Sequence, residues 1–261
     1  MKTTITYFSF LFIIISIFSC KKQAEYDNDF VRERLDQEAY GSSEWHAVLD
    51  SVINKYPDEA FPYYRKGLQL MRDNYPEGMK FMEEAAELDP YMYANYLGHI
   101  KLVSFHDYEA SIEHFKTAIE YENHVDIIVP GSAYERIAIA YKEMGDNEKS
   151  IRTFDNYIKR FGEDGVDLYT FLHRGIAKIN IGDYEGALKD FDTIIRKWEK
   201  CPEAYYHKGI VYHKKGDNTL ACKQFKKALL YQNYIRGNPS GAYIDQLYLS
   251  DIEQMFDSTC K

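Results

Sequence analysis

The chain has 261 residues, with 41 acidic against 32 basic side chains, a formal charge of −9, 45% hydrophobic content and 24 tyrosines. That much apolar material excludes a disordered tail, and the acidic balance excludes a general nucleic-acid binder, which needs a basic face to release phosphate counterions. At the N-terminus, Lys2 precedes an uncharged apolar run, ITYFSFLFIIISIF, from Ile5 to Phe18, and Ser19-Cys20 follow it. The run has the length of a signal-peptide core and falls short of the roughly 20 residues of a spanning helix. A short anchor that stays attached is the alternative.

Ile17-Phe18-Ser19-Cys20 resembles a bacterial lipobox. Phe18 stands where a small residue is usual, as in the looser forms of Bacteroidota. The resemblance implies cleavage of residues 1–19 as a signal peptide, acylation of Cys20, and a polar tether over 20–28. Several acyl chains hold a protein far more firmly than one myristoyl group. Lys21, rather than Asp, after the cysteine implies the outer membrane under proteobacterial-type sorting; the leaflet is left open. Cleavage removes one base, Lys2, and no acid, so the formal charge moves from −9 to −10.

Residues 29–59 read as a degenerate opening helix pair. SSEWHAVLDSVINKYPDEA is a second helix ending at Pro57, with Trp45, Leu49, Val52 and Ile53 on its apolar side. Asp29 to Tyr40 supplies its partner. From residue 60 to 236 one period dominates. Gly175 and Gly209 are 34 apart, as are Gly182 and Gly216, Ala187 and Ala221, and Phe191 and Phe225. The frame returns upstream at Ala138, Gly145, Ser150 and Phe154. With one-residue slips it also returns around Gly67, Tyr75, Ala85 and Pro90, and around Tyr96, Tyr108, Phe115 and Ala118.

Each unit places a small residue on one helix, Gly-Asp-Tyr or Gly-Asp-Asn at a turn, and Ala or Ser four residues before Phe on a second helix. This pattern resembles the tetratricopeptide repeat, a 34-residue helix–turn–helix unit. The resemblance implies an all-α solenoid of about five to six repeats in a right-handed superhelix, because no single pair buries its apolar face. A capping helix is expected over 240–258, after the Gly237-Asn238-Pro239-Ser240-Gly241 break, with Ile244, Leu247, Tyr248, Ile252, Met255 and Phe256 on one stripe. The stretch Glu122 to Gly131 is the longest irregular one and is expected to bend the array.

With Cys20 acylated, three thiols remain. Cys222 lies on the last repeat's second helix and Cys260 follows the capping helix, so a bond between them would staple the cap down. The placement is similar to the ends of Bacteroidota repeat proteins; two unpaired thiols are the alternative. Cys201, in an inter-repeat turn, is left over.

No HExxH, GxSxG, GxGxxG, P-loop or CxxC motif occurs, and the eight histidines make no i, i+4 pair. The sequence therefore points to no enzyme, metal or cofactor. Function is expected on the concave face that stacked first helices create. Peptide clamps of the chaperone-cofactor kind hold a terminal carboxylate with Lys and Asn beside the motif glycine. Here Leu68, Ile100, Ile139, Ile176 and Ile210 fill that place, so such a clamp is absent. Tyr64, Tyr96 and Tyr206 stand three before the motif position, and Arg65, Arg136, His173 and His207 stand two before it.

A row of Tyr with Arg or His suits an extended protein or peptide segment bearing apolar and acidic groups. The membrane would be met through the lipid anchor only, and no nucleic acid is expected. Two narrower readings stay open: a component of an outer-membrane assembly machine of the five-repeat lipoprotein type, and a glycan-binding surface lipoprotein. The partner and the oligomeric state are not written in the sequence.

Overall fold

The computed structural model describes residues 26–73, 75–120, 133–235 and 245–260. The leader, Cys20, Glu122 to Gly131 and the Gly237 to Gly241 break lie outside the described residues. Among the described residues every regular element is helical. The first helices of successive pairs are α1 (Asn28–Asp36), α3 (Ala60–Arg72), α5 (Pro90–Ile100), α7 (Ala133–Glu143), α9 (Leu168–Asn180) and α11 (Pro202–Lys214). Their second helices are α2 (Ser43–Lys55), α4 (Gly78–Leu88), α6 (Tyr108–Glu120), α8 (Asn147–Phe161), α10 (Tyr184–Lys197) and α12 (Asn218–Leu230). A last helix, α13 (Leu249–Thr259), packs on α12. Each helix packs on its chain neighbours, and α9 also touches α7 and α11, so first helices line up along one face. This is the stacking that an all-α repeat solenoid requires.

One residue organises each unit. Trp45, Met82, Phe115, Phe154, Phe191 and Phe225, all on second helices, are at most 1% exposed. In four units this large side chain sits against the small position of its own first helix. A Cβ built on Gly175 would lie 2.5 Å from the Phe191 ring, and one on Gly209 2.4 Å from Phe225. Gly98 faces Phe115 at 2.9 Å, and Gly67 faces the Met82 Cγ at the same distance. Gly67 and Gly78 also approach each other backbone to backbone, at 2.7 and 2.6 Å for the added carbons. The helices of a pair come this close only because a methyl group is missing at the crossing.

Turn chemistry is equally regular. Gly145, Gly182 and Gly216 adopt φ of 82°, 80° and 82°, a left-handed conformation open to glycine. The aspartate that follows each one caps the next helix: Asp146, Asp183 and Asp217 accept from the backbone N–H of Lys149, Gly186 and Leu220.

The third unit shows why its frame slips by one residue. After α5 the chain makes a π-helical turn over Lys101–Phe105, which accommodates one extra residue per turn. His106 then takes the left-handed place of the glycine, at φ 53°, and Asp107 caps α6 by accepting from the Ala110 N–H. From there the count to Phe115 is the same as from Gly182 to Phe191.

The C-terminal helix differs from the expected one over 240–258. Ile244 lies outside the described residues. Asp245 has φ 57°, and Tyr248 is extended, its N–H donating to the Asp251 carboxylate at 2.8 Å. An L residue in the left-handed region does not continue a right-handed helix. Leu247 and Tyr248 therefore belong to a lead-in segment, while Ile252, Met255 and Phe256 lie on α13 itself. Cys222 and Cys260 form a disulfide with a Cα–Cα distance of 5.2 Å. Closing a loop of that length stabilises by up to roughly 4 kcal/mol in the chain-entropy model. Cys201 is a free, buried thiol whose S–H donates to Glu203.

Two substitutions should act in opposite directions. Gly209→Ala gains up to about 1 kcal/mol of helix propensity but drives a methyl into an immobile buried ring, worth about 1–3 kcal/mol. The clash outweighs the propensity, and a net loss of about 1–2 kcal/mol is expected. His106→Gly relieves a left-handed side chain and should stabilise by about 0.5–1 kcal/mol. Urea denaturation checks both; equal or same-sign midpoint shifts would contradict this account.

Candidate functional site

The residues expected on the concave face fall into two groups. Arg65, Arg136, His173 and His207 lie over the buried aromatic residue of the preceding unit. The Arg65 guanidinium sits 5.7 Å from the Trp45 ring and Arg136 5.9 Å from Phe115. His173 stacks on Phe154 at 6.5 Å, and His207 on Phe191 at 5.7 Å. Phe115, Phe154 and Phe191 are thus each held between the small position of their own unit and the residue two before the small position of the next. Arg136 is buried and donates to Asn95 Oδ1 at 3.1 Å. These side chains lid the core as well as lining a face. Sequence spacing does not separate the two roles, because both fall on the same helical side.

Tyr64 and Tyr96 make a different arrangement. Tyr64 stacks on Tyr93 at 4.8 Å and meets Tyr96 edge-on at 5.5 Å, joining α3 to α5. Tyr40 stands nearby, 51% exposed, and accepts a hydrogen bond from the exposed Arg72 guanidinium at 3.1 Å. Burial, with the neighbouring Tyr64, pushes the Tyr96 phenol up to about 12, so that hydroxyl keeps its proton at neutral pH. This half presents aromatic rings, hydroxyls and two arginines. Tyr206 at the other end packs against His207 at 5.1 Å and Phe225 at 5.9 Å.

Two residues that repeat spacing did not single out complete the other half. Lys142 on α7 is buried, with 4% of its side chain exposed, and donates to Asp245 at 2.6 Å and to Glu143 at 2.5 Å. His173 on α9 donates through Nδ1–H to the same Asp245 oxygen at 2.7 Å. Burial alone would raise the Asp245 carboxyl; the His173 and Lys142 donors outweigh it and hold the group well below the usual carboxylate range. Next to it, Glu135 accepts from the Thr170 hydroxyl at 2.5 Å. Burial raises the Glu135 carboxyl despite that bond.

The chain's own C-terminal segment therefore reaches across the first helices. The sequence signal for this site is Lys142 itself. It stands four residues after the small position, where the other units carry Met71, Leu102, Ile179 and His213.

Two histidines on this face are held neutral. Burial lowers His99 to about 4, with Arg136 adding to the effect. Burial likewise lowers His207 to about 4, Asp245 opposing and Lys142 and His173 adding. Among the described residues no His/Cys/Asp/Glu group could hold a metal ion, and no helix is long and apolar enough to cross a membrane.

Acid sensitivity follows from the signs. A histidine at about 4 in the fold and about 6.5 unfolded binds its proton only on unfolding between those values. Stability should fall as pH drops from 6.5 to 4. Below about 4 the loss continues, because Asp245, depressed in the fold, contributes fully only above its unfolded value. The urea midpoint of His207→Gln should change less between pH 6.5 and 4.5 than that of the unaltered chain. An equal change would show that His207 is not buried as a neutral ring.

Comparison with known proteins agrees with the architecture. Residues 172–241 and 132–164 match two family models described as Tetratricopeptide repeat. A TPR repeat-containing protein of Methanocaldococcus jannaschii is 26% identical over 179 residues, which cover 64% of this chain. The match spans 30% of that relative's length.

Solved structures similar in fold include YrrB, PilW and a protein from Parabacteroides merdae. YrrB, described as a TPR protein with an unusual peptide-binding site, has 17% identity and a TM-score of 0.53, over 79% of this chain and 100% of that one. PilW, a type IV pilus biogenesis factor, has 11% identity and a TM-score of 0.57, over 79% and 92%. A tetratricopeptide repeat protein from Parabacteroides merdae has 14% identity and a TM-score of 0.52, over 88% and 79%. At such identities the likeness is one of fold.

Proposed function

We propose that this tetratricopeptide repeat protein is a non-catalytic scaffold that docks partner proteins along its row of first helices, tethered to the cell envelope through acylated Cys20. The observation that carries the docking reading is the Tyr40–Arg72–Tyr64–Tyr96 cluster. It combines exposed aromatic surface with arginine donors on the side of the array that first helices share. Tyr and Arg dominate interface hot spots because they bury large rigid surfaces and still offer hydrogen bonds. An extended segment with apolar and polar side chains fits such a row better than a small ligand, which needs an enclosed cavity. YrrB, of the same fold, is a peptide binder by its description.

The tether reading rests on the leader run and on Ile17-Phe18-Ser19-Cys20. With the Lys21 rule it favours the outer membrane. A lipid at one end of a rigid array would hold the docking row near the membrane and raise the local concentration of envelope partners.

The test is site-specific photocrosslinking in cells from Tyr64 and Tyr96, with exposed Lys116 on α6 as the control position. A defined partner should crosslink from the tyrosines and not from Lys116. Its copurification should fall at least tenfold in the Tyr64→Ala, Tyr96→Ala double variant, with helicity unchanged. Undiminished copurification rejects the face as the docking site. In parallel, Cys20→Ser should move the chain from the membrane fraction to the soluble one, and persistence in the membrane would reject the lipid tether.

A further inference from the structure

We infer that the Lys142–His173 pocket is a receptor for an acidic side chain of a partner protein, and that Asp245 occupies it in cis. This deepens the docking reading above and rests on it.

His173 also covers Phe154, but the Lys142 ammonium has no role in the repeat architecture. At the place of Lys142 the other units carry Met71, Leu102, Ile179 and His213, so packing there asks for no ammonium group. A buried cation is unfavourable unless it is paired, and this one is paired across 103 residues of sequence. The geometry is that of a carboxylate receptor: one oxygen of Asp245 takes the Lys142 ammonium at 2.6 Å and the His173 N–H at 2.7 Å. Lys142 also keeps Glu143 at 2.5 Å, so it is not orphaned when Asp245 leaves.

The occupant itself describes what the pocket reads. Asp245 is held in the left-handed region at φ 57°, an unfavourable conformation for an L residue other than Asn or Asp. Two residues on, Leu247 is 4% exposed and packs with Tyr205, Ala228 and Ile252, with Tyr206 alongside. The segment thus presents an acid and, two residues later, an aliphatic anchor. A partner strand with Asp or Glu followed two residues later by Leu or a similar side chain offers the same two groups. The segment is anchored downstream by α13 and the Cys222–Cys260 disulfide, so its effective concentration at the pocket is high. A partner must therefore outcompete Asp245, which makes docking selective for strong or locally concentrated ligands.

The experiment uses the purified full chain and a fluorescent acetyl-Asp-Gln-Leu-Tyr-Leu peptide, which copies residues 245–249, with Asn in place of Asp as the control. Anisotropy should show the Asp peptide binding Asp245→Asn at least tenfold more tightly than the unaltered chain. That variant should prefer the Asp peptide over the Asn peptide at least tenfold, and adding Lys142→Met should abolish the preference. Equal binding by both chains, no binding by either, or no preference between the peptides overturns the inference.

Should Asp245→Asn fail to fold, hydrogen exchange on the unaltered chain decides. Millimolar Asp peptide should speed exchange across residues 245–249, and unchanged exchange overturns the inference. The crosslinks from Tyr64 and Tyr96 are read separately. A chain that captures its partner there but ignores the peptide loses this inference and keeps the docking role, whereas absent crosslinks with discriminating peptide binding reject only the docking role at the tyrosines.

Discussion

The molecule depends on one contact made again from the second pair to the sixth: a large second-helix side chain pressed against a small first-helix position. Phe191 on Gly175 and Phe225 on Gly209 leave no room for a methyl group, and Phe154 faces the buried Ala138 in the same frame. The contact sets the distance between the helices of a pair, so it also sets where their outward residues fall. Because the ring is larger than its own unit can cover, its other side is left for the next unit. Arg65, Arg136, His173 and His207 cover it. Stacking is then obligatory, and the array is cooperative between neighbours rather than a string of independent pairs.

That constraint explains why the functional face is only partly legible. The glycine-aspartate turns and the ring positions recur from unit to unit, at 34 residues between the last two, and a recurring feature is visible without any structure. The slip in the third unit is different. A single residue absorbed by the π-helical turn at Lys101–Phe105 leaves composition and hydrophobic pattern unchanged, and His106 hides the turn by replacing its glycine. The start of α13 was hidden for a similar reason. Leu247 and Ile252 are both buried, so an apolar stripe runs on in sequence past the point where the backbone stops being helical.

The site divides along the same line. Tyr64 and Tyr96 were findable because they sit within a residue of the same offset from the small position, three before Gly67 and two before Gly98. Asp245 was not, because its partners lie 72 and 103 residues away on a different frame, and no periodicity links them. Lys142 carried a usable signal: it breaks a column that is otherwise mostly apolar. In repeat proteins such a break is informative, since every other unit serves as a measure of what packing alone demands.

The two halves of the face are consequently in different states. Around α3 and α5, tyrosines stand partly exposed and the exposed Arg72 guanidinium reaches the Tyr40 hydroxyl. Around α7, α9 and α11 the cation is buried and its acid is supplied from within. An acidic protein that buries a lysine against its own aspartate has already desolvated that lysine, which is the larger part of what a charged contact costs to form. A partner carboxylate entering in exchange for Asp245 meets a pocket that is dry and oriented beforehand. The exchange then turns mainly on the contacts each strand adds outside the pocket, and for the cis strand these are Leu247 and the packing of α13.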